Sequence, residues 1–303
     1  MRRHIRFRGI LLSAFLGALL TGQARAATMF IANDNGGAIN EYNLDGTPVG
    51  SGTLVSGLSH PGGLALSGSD LFVTLQNTGS VGEYTTSGAT VNASLLSNLV
   101  GPTGIAVSGS NLFVTDLTGG TIGEYTTSGG TVNANLIGGL TYPVGIAISG
   151  SDIFVEGLNS VGEYTTSGAT VNASLITGLS GGAGLAVSGS DLFVSNFAGS
   201  VGSIEEYTTS GAPVNTSLVS NMGGIAFGIA TFGSNLFVST GSIGSISEYT
   251  TTGSLVNGSL ISGLNYPEGI VVADTPEPSS TSILVLGFGL VAFFRLRARR
   301  SHV

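Results

Sequence analysis

The stretch Pro102–Gly130, PTGIAVSGSNLFVTDLTGGTIGEYTTSGG, decides the fold of this 303-residue chain. It holds three short runs of strand-forming residues: Gly104–Val107, Leu112–Thr115 and Ile122–Thr126. Ser-Gly-Ser-Asn separates the first two, and a Gly-rich link separates the next two. After Thr-Thr-Ser-Gly comes a fourth run, Val132–Leu136. Runs of this length between such turn residues read as β-strands. Leu112–Thr115 is apolar without alternation, so it expects cover on both faces. Gly and Ala in the first run suit a crowded interior.

The pattern recurs from Thr28 to Asp274. Glu-Tyr falls at 41–42, 83–84, 124–125, 163–164, 206–207 and 248–249, with spacings of 42, 41, 39, 43 and 42. A period near 40 with four strands per unit is the mark of propeller blades. Phe30, Phe72, Phe113, Phe154, Phe193 and Phe237 occupy one matching position and should form the main core between blades. Each buried side chain contributes roughly 1.5–3 kcal/mol before entropy. The repeats begin on a second-type strand, Met29–Asn33, and end on a first-type strand, Gly269–Val272. The expectation is an all-β, six-bladed β-propeller over residues 27–274, closed by pairing one strand from the end with three from the start.

Units such as Pro102-Thr-Gly-Ile-Ala-Val, Leu112-Phe-Val-Thr-Asp116 and Gly123-Glu-Tyr resemble NHL repeats and the wider group of six-bladed bacterial propellers. The resemblance covers residues 28–274. It implies the fold; such propellers host many activities.

The two ends read as addresses. In Met1–Ala26, Arg2, Arg3, Arg6 and Arg8 precede the apolar run Gly9–Leu20, and Ala24-Arg25-Ala26 gives a small-x-small cleavage pattern. This is the form of a secretory signal peptide. The tail, 275–303, carries Pro276-Glu277-Pro278, an apolar run Ser279–Phe294, then Arg295, Arg297, Arg299 and Arg300. As a helix the apolar run would be ~24 Å long, short of a ~30 Å bilayer core. The positive end would stay inside. The tail resembles a PEP-CTERM sorting signal. That resemblance implies a Gram-negative source, an exosortase-type processing enzyme, cleavage near Pro-Glu-Pro, and delivery to the cell surface or an exopolysaccharide matrix.

Charge excludes several functions. There is no Lys, and no Arg between Ala26 and Phe294. A domain without cations cannot neutralise phosphates, so nucleic acid is excluded as a partner. Anionic lipids and strongly anionic glycans are disfavoured too, and the fold is expected to lack internal salt bridges and to be held by packing and backbone hydrogen bonds. There is no Cys, hence no disulfide framework or thiol nucleophile.

Candidate chemistry is sparse. His60 is the one His in the propeller, so a Ser-His-Asp triad would have to use it and a His-rich metal site is ruled out. Residues just after the second strands include Asp34, Asn77, Asp116, Glu156 and Asn196. Asp34, Asp116, Glu156 and Asn196 are the set that could converge on the channel and hold Ca2+; the plainer reading is turn-forming residues. Resemblance to gluconolactonase-type propellers would imply a divalent metal at the channel mouth, but their ligand pattern does not map onto these residues. The repeated Glu at 41, 83, 124, 163, 206 and 248 read as solvated strand-edge positions that discourage aggregation.

The two faces of the ring differ. First-to-second-strand turns are copies: from the first-strand Gly to the second-strand Leu or Ile the offset is always eight. On the other face, the residues between the second-strand Val or Ile and the Glu number nine, nine, nine, seven, eleven and nine. The loops before the first strands also vary there, with His60, Tyr142 and Tyr266 each preceding a Pro. This varied face is the expected binding face, with Tyr142 and Tyr266 as platforms for sugar rings. The favoured function is a non-catalytic structural or interaction module binding exopolysaccharide or a surface protein, with no cofactor. The competing reading is a metal-dependent lactonase- or lyase-like enzyme.

Overall fold

The computed structural model describes residues 27–274. The signal-peptide reading of residues 1–26 and the sorting-tail reading of residues 275–303 lie outside the described residues. Among the described residues every regular element is a strand, and the strands form six four-stranded antiparallel sheets.

Blade 1 holds β1 (Ala27–Asn33), β2 (Ala38–Asn43) and β3 (Pro48–Ser56). Blade 2 is β4 (Pro61–Ser67), β5 (Asp70–Leu75), β6 (Ser80–Thr85) and β7 (Thr90–Leu96). Blade 3 is β8 (Pro102–Ser108), β9 (Asn111–Asp116), β10 (Thr121–Thr126) and β11 (Thr131–Ile137). Blade 4 is β12 (Gly145–Ser149), β13 (Asp152–Glu156), β14 (Ser160–Thr165) and β15 (Thr170–Thr177). Blade 5 is β16 (Leu185–Ser188), β17 (Asp191–Ala198), β18 (Val201–Thr208) and β19 (Pro213–Val219). Blade 6 is β20 (Ala226–Phe232), β21 (Asn235–Thr240), β22 (Ser245–Thr250) and β23 (Leu255–Ser262). The last strand, β24 (Pro267–Asp274), pairs antiparallel with β1, with Ala27 opposite Asp274. First strands pack against one another in the order β4, β8, β12, β16, β20, β24 and back to β4.

The six Phe are 0–1% exposed, and each packs in a cluster that draws on two neighbouring blades. Second strands lie in mid-blade between adjacent sheets, which is why they lack alternation. First strands crowd the axis. A side chain on Gly63, Gly104, Gly184, Gly228 or Gly269 would overlap the carbonyl oxygen of Thr103, Val144, Phe227, Glu268 or Gly62 in the next blade. Glycine at that position is therefore what lets the blades converge.

Hydrogen bonds separate the two faces as the loop lengths suggest. Thr86, Thr127, Thr166, Thr209 and Thr251 N–H donate to Ser69, Ser110, Ser151, Ser190 and Ser234 O, each at 2.8 Å. These bonds tie the third-to-fourth turn to the first-to-second turn in blade after blade. On the opposite face Leu58, Leu99 and Leu140 N–H donate to Gly37, Gly79 and Gly120 O at 2.9 Å. The fourth-to-first loop is thus bonded to the second-to-third turn.

The repeated Glu are not at a strand edge. They sit on third strands, covered on both sides by neighbours. Glu124 is buried and accepts from Asn111 Nδ2 at 2.7 Å. Glu83, Glu163 and Glu206 are held above the usual carboxylate range by burial and by the negative charges of Asp70, Asp152 and Asp191. The outer edge belongs to the fourth strands, and in every blade their pairing with the third strand is broken by register shifts. Bulges that twist the edge, not the Glu row, guard it. Within those strands Asn92, Asn172, Asn215 and Asn257 Oδ1 accept the N–H two residues on.

Candidate functional site

The first-strand entries line an axial cavity of about 460 Å3. Its wall is mostly glycine and aliphatic: Gly63, Gly104, Gly145, Gly184, Gly228 and Gly269, with Ile105, Ile146 and Ile229. Gln76, Leu117 and Phe197, which lie at the ends of second strands, also line it. Second strands end on the varied face, so the funnel opens there.

The rim has two unlike sectors. Leu117, Phe197, Ile225 and Phe227 make one side apolar. The other side, at the meeting of blades 1 and 2, is polar through Gln76 and Glu268, with Asp34, His60 and Tyr266 close by but outside the cavity lining. Glu268 enters from β24, and its Oε2 accepts from Gln76 Nε2 at 2.8 Å. Asp34, at the end of β1, has its Oδ1 2.8 Å from His60 Nδ1. That pair is the one ion-pair contact among the described residues. Backbone bonds fix the cluster: Asp34 N–H donates to Tyr266 O at 3.0 Å, and Gln76 N–H to His60 O at 3.0 Å. Asn265 N–H donates to Asn33 Oδ1 at 2.7 Å. Tyr266 leans on Phe227, ring centroids 5.2 Å apart and tilted by 50°, a favourable aromatic geometry.

Electrostatics here is one-sided. Residues 27–274 hold seven Asp and nine Glu and no Lys or Arg. Burial, then the nearby Asp34 charge, pushes Glu268 up to about 7, although the Gln76 hydrogen bond pulls the other way. At neutral pH this carboxyl is poised between its two forms. Burial and the charges of Glu268 and Asp34 also raise the Tyr266 phenol.

His60, Tyr142 and Tyr266 share a backbone feature. Their φ angles are +50°, +49° and +65°. Non-glycine residues rarely adopt this region, and such strain collects at functional sites. Asp34, His60 and Tyr266 are brought together. Tyr142 precedes β12 of blade 4, is 58% exposed and is not part of this cluster.

The other candidates are placed differently. Asp116 Oδ1 accepts from Gly119 N–H at 2.7 Å and shapes its own turn. Asn196 Oδ1 accepts from Ser180 N–H, while its Nδ2 donates to Glu205 Oε1 at 2.6 Å. Asn77 is exposed at a turn. Glu156 is completely buried and neither carboxyl oxygen has a hydrogen-bond partner. A side chain on Gly182 would overlap that carboxyl, so it presses on the back of the funnel wall. Desolvation, then the charge of Glu205, holds Glu156 well above the ordinary carboxylate range. Among the described residues no group of three or more His, Asp or Glu is arranged to hold a metal. The four-residue Ca2+ set therefore does not assemble: Asp116 is bonded into its own turn, Asn196 lies within β17 bonded to Ser180 and Glu205, and Glu156 is walled in.

Glu268 and Gln76 are the candidate residues that residue-by-residue reading passes over. Position 268 directly precedes a first-strand Gly, where the other blades carry Gly62, Thr103, Val144, Ala183 and Phe227. A lone carboxylate at that position was the available signal.

No family model and no curated protein sequence matches the chain. Solved structures match its fold. A chain of a nidogen/laminin complex aligns with TM-score 0.70 and 16% identity, over 82% of this chain and 98% of that one. A gluconolactonase from Xanthomonas campestris aligns with TM-score 0.62 and 18% identity, over 78% and 84%. Virginiamycin B lyase from Staphylococcus aureus aligns with TM-score 0.57 and 19% identity, over 82% and 89%. At these identities the likeness establishes the architecture: the chain is a six-bladed β-propeller of four-stranded blades, similar in fold to lactonase, lyase and protein-interaction propellers.

Proposed function

We propose that this protein is an exported, non-catalytic binding module that takes its ligand at the funnel mouth. One observation carries the reading: side chains that differ from blade to blade gather round one axial opening, whereas the opposite face repeats the same turns. The terminal sequence patterns support passage through the secretory route. They also support an exosortase-type partner and delivery to the cell surface or matrix. The absence of cations from the domain favours neutral or cationic ligands over anionic ones.

The test is a glycan array probed with the protein and with two sets of variants. Gln76→Ala and Phe197→Ala alter the funnel; Thr86→Ala and Thr127→Ala alter the copied face. Loss of binding confined to the funnel set is expected. If only the copied-face set abolishes binding, the assignment is wrong.

A second reading has its own support. Glu268 near neutrality, beside the Asp34–His60 pair, is suited to general acid–base work. On that reading the protein would turn over lactones or similar esters. Turnover by the wild type that vanishes in Glu268→Gln would establish it.

A further inference from the structure

We propose that the funnel receives a protonated amino sugar, its ammonium against Glu268, its ring against Phe227 and Tyr266, and its hydroxyls toward Gln76, Asp34 and His60. The inference rests on the reading that ligand enters the funnel and names the class it takes.

Three independent observations converge. The first is shape: a cavity of about 460 Å3 is roomy for one or two sugar rings, and its rim pairs an apolar sector with a polar one. The second is the aromatic pair beside a carboxyl. Phe227 and Glu268 both line the cavity, and Tyr266 packs on Phe227. A sugar presents an apolar ring face and polar edges, which fits such a corner; a cationic substituent gains from the aromatic faces as well. The third is uncompensated acid. Glu268 has an amide donor from Gln76 but no cation. The domain has no Lys or Arg, and the one side chain near this opening that can carry positive charge, His60, is paired with Asp34, so a cation for Glu268 has to come from a ligand.

The charged and titratable groups nearest Glu268 are Asp34 and Tyr266, with uncharged Gln76 as its hydrogen-bond donor and His60 beyond, paired with Asp34. Binding needs the Glu268 carboxyl ionised and the amine protonated. Affinity should therefore peak near neutrality and fall on both sides, as Glu268 takes up a proton below about 7 and the amine loses one above.

The experiment is calorimetric titration of the full-length chain with the β-1,4 disaccharide of glucosamine and, separately, its N,N′-diacetyl form. The two probes share ring shape and differ in charge. The expected result is at least about tenfold tighter binding of the amine form, lost in Glu268→Gln and largely kept in Glu268→Asp, the scale of removing one partner of a desolvated charge pair. Phe227→Leu should weaken both probes. Equal affinity for both probes, or indifference to Glu268→Gln in a variant with unchanged melting temperature, overturns the assignment. If the diacetyl form binds equally and responds to Phe227→Leu, the funnel reading survives and the amino-sugar assignment fails. If neither probe binds, the amino-sugar assignment is overturned, while glycan-array binding that still maps to the funnel would keep the broader reading.

Discussion

The seam between blades 3 and 4 and the seam between blades 4 and 5 differ chiefly by one side chain. In blade 3, Thr115 Oγ1 accepts from Gly104 N–H at 2.7 Å and lies 3.2 Å from Val144 O of the next blade. Thr74 and Ser239 repeat the arrangement, donating to Thr103 O at 2.7 Å and Glu268 O at 2.6 Å. One small hydroxyl thus satisfies its own first strand and reaches across to its neighbour. In blade 4 the same register position is Glu156, which makes neither bond. The seam is also wider there. The next-blade oxygen, Ala183 O, stands 3.3 Å from a Cβ built on Gly145, where in the other five blades such an atom would overlap. A carboxyl has displaced a stitch and is accommodated by a gap and by Gly182. A repeat this regular can therefore loosen a single joint without disturbing the rest.

Four measurements would break or sharpen that contrast. The largest effect is expected from the cores flanking the seams: Phe113→Ala and Phe154→Ala should each lose ~3–5 kcal/mol in denaturant unfolding. A much smaller loss at Phe154 would mean that the blade 4 joint is already slack in its core. Next, Gly182→Ala should cost ~1–3 kcal/mol by overpacking against Glu156, and most of that cost should disappear in a Glu156→Thr background. An additive double mutant would show that the two groups do not meet.

Thr115→Val keeps the shape but strands the Gly104 N–H, for a loss of about 1–2 kcal/mol. A neutral result would remove the stitch from the account of the seam. The smallest change is a gain. Folded Glu156 keeps its proton above the ordinary 4.5, while the unfolded chain releases it. The folded state then binds more protons, so stability falls as pH rises above that value. Glu156→Thr should flatten this slope and raise the melting temperature at pH 8 more than at pH 5. An unchanged slope would show that Glu156 is ionised in the fold.

Much of the architecture was legible because it is periodic. Six Phe at one register position, Gly eight residues before the second-strand Leu or Ile in five blades, and Glu-Tyr at steady spacing leave few alternatives to a ring of blades. The site was legible in part. Asp34, His60 and Tyr266 stood out as departures from the repeat, and they do meet. Glu268 and Gln76 form a hydrogen bond across 192 residues of sequence, a proximity that only the arrangement of first strands around the axis creates. Asp116 fits the plainer of its two readings, since its Oδ1 accepts from Gly119 N–H in its own turn. The third-strand Glu misled because position within a sheet, not residue type, decides what is an edge.

Two positions in the ring lack the hydroxyl altogether. Blade 1 carries Ala32 where blades 2, 3, 5 and 6 carry Thr74, Thr115, Ser195 and Ser239, and blade 4 carries Glu156. Blades 1 and 4 stand opposite each other in a six-membered ring. Ser195 keeps the hydroxyl but uses it inside its own blade, accepting from Ala183 and Gly184 N–H. From this position, then, hydroxyl stitches join blades 2, 3 and 4 into one arc and blades 6 and 1 into another, and blade 5 belongs to neither.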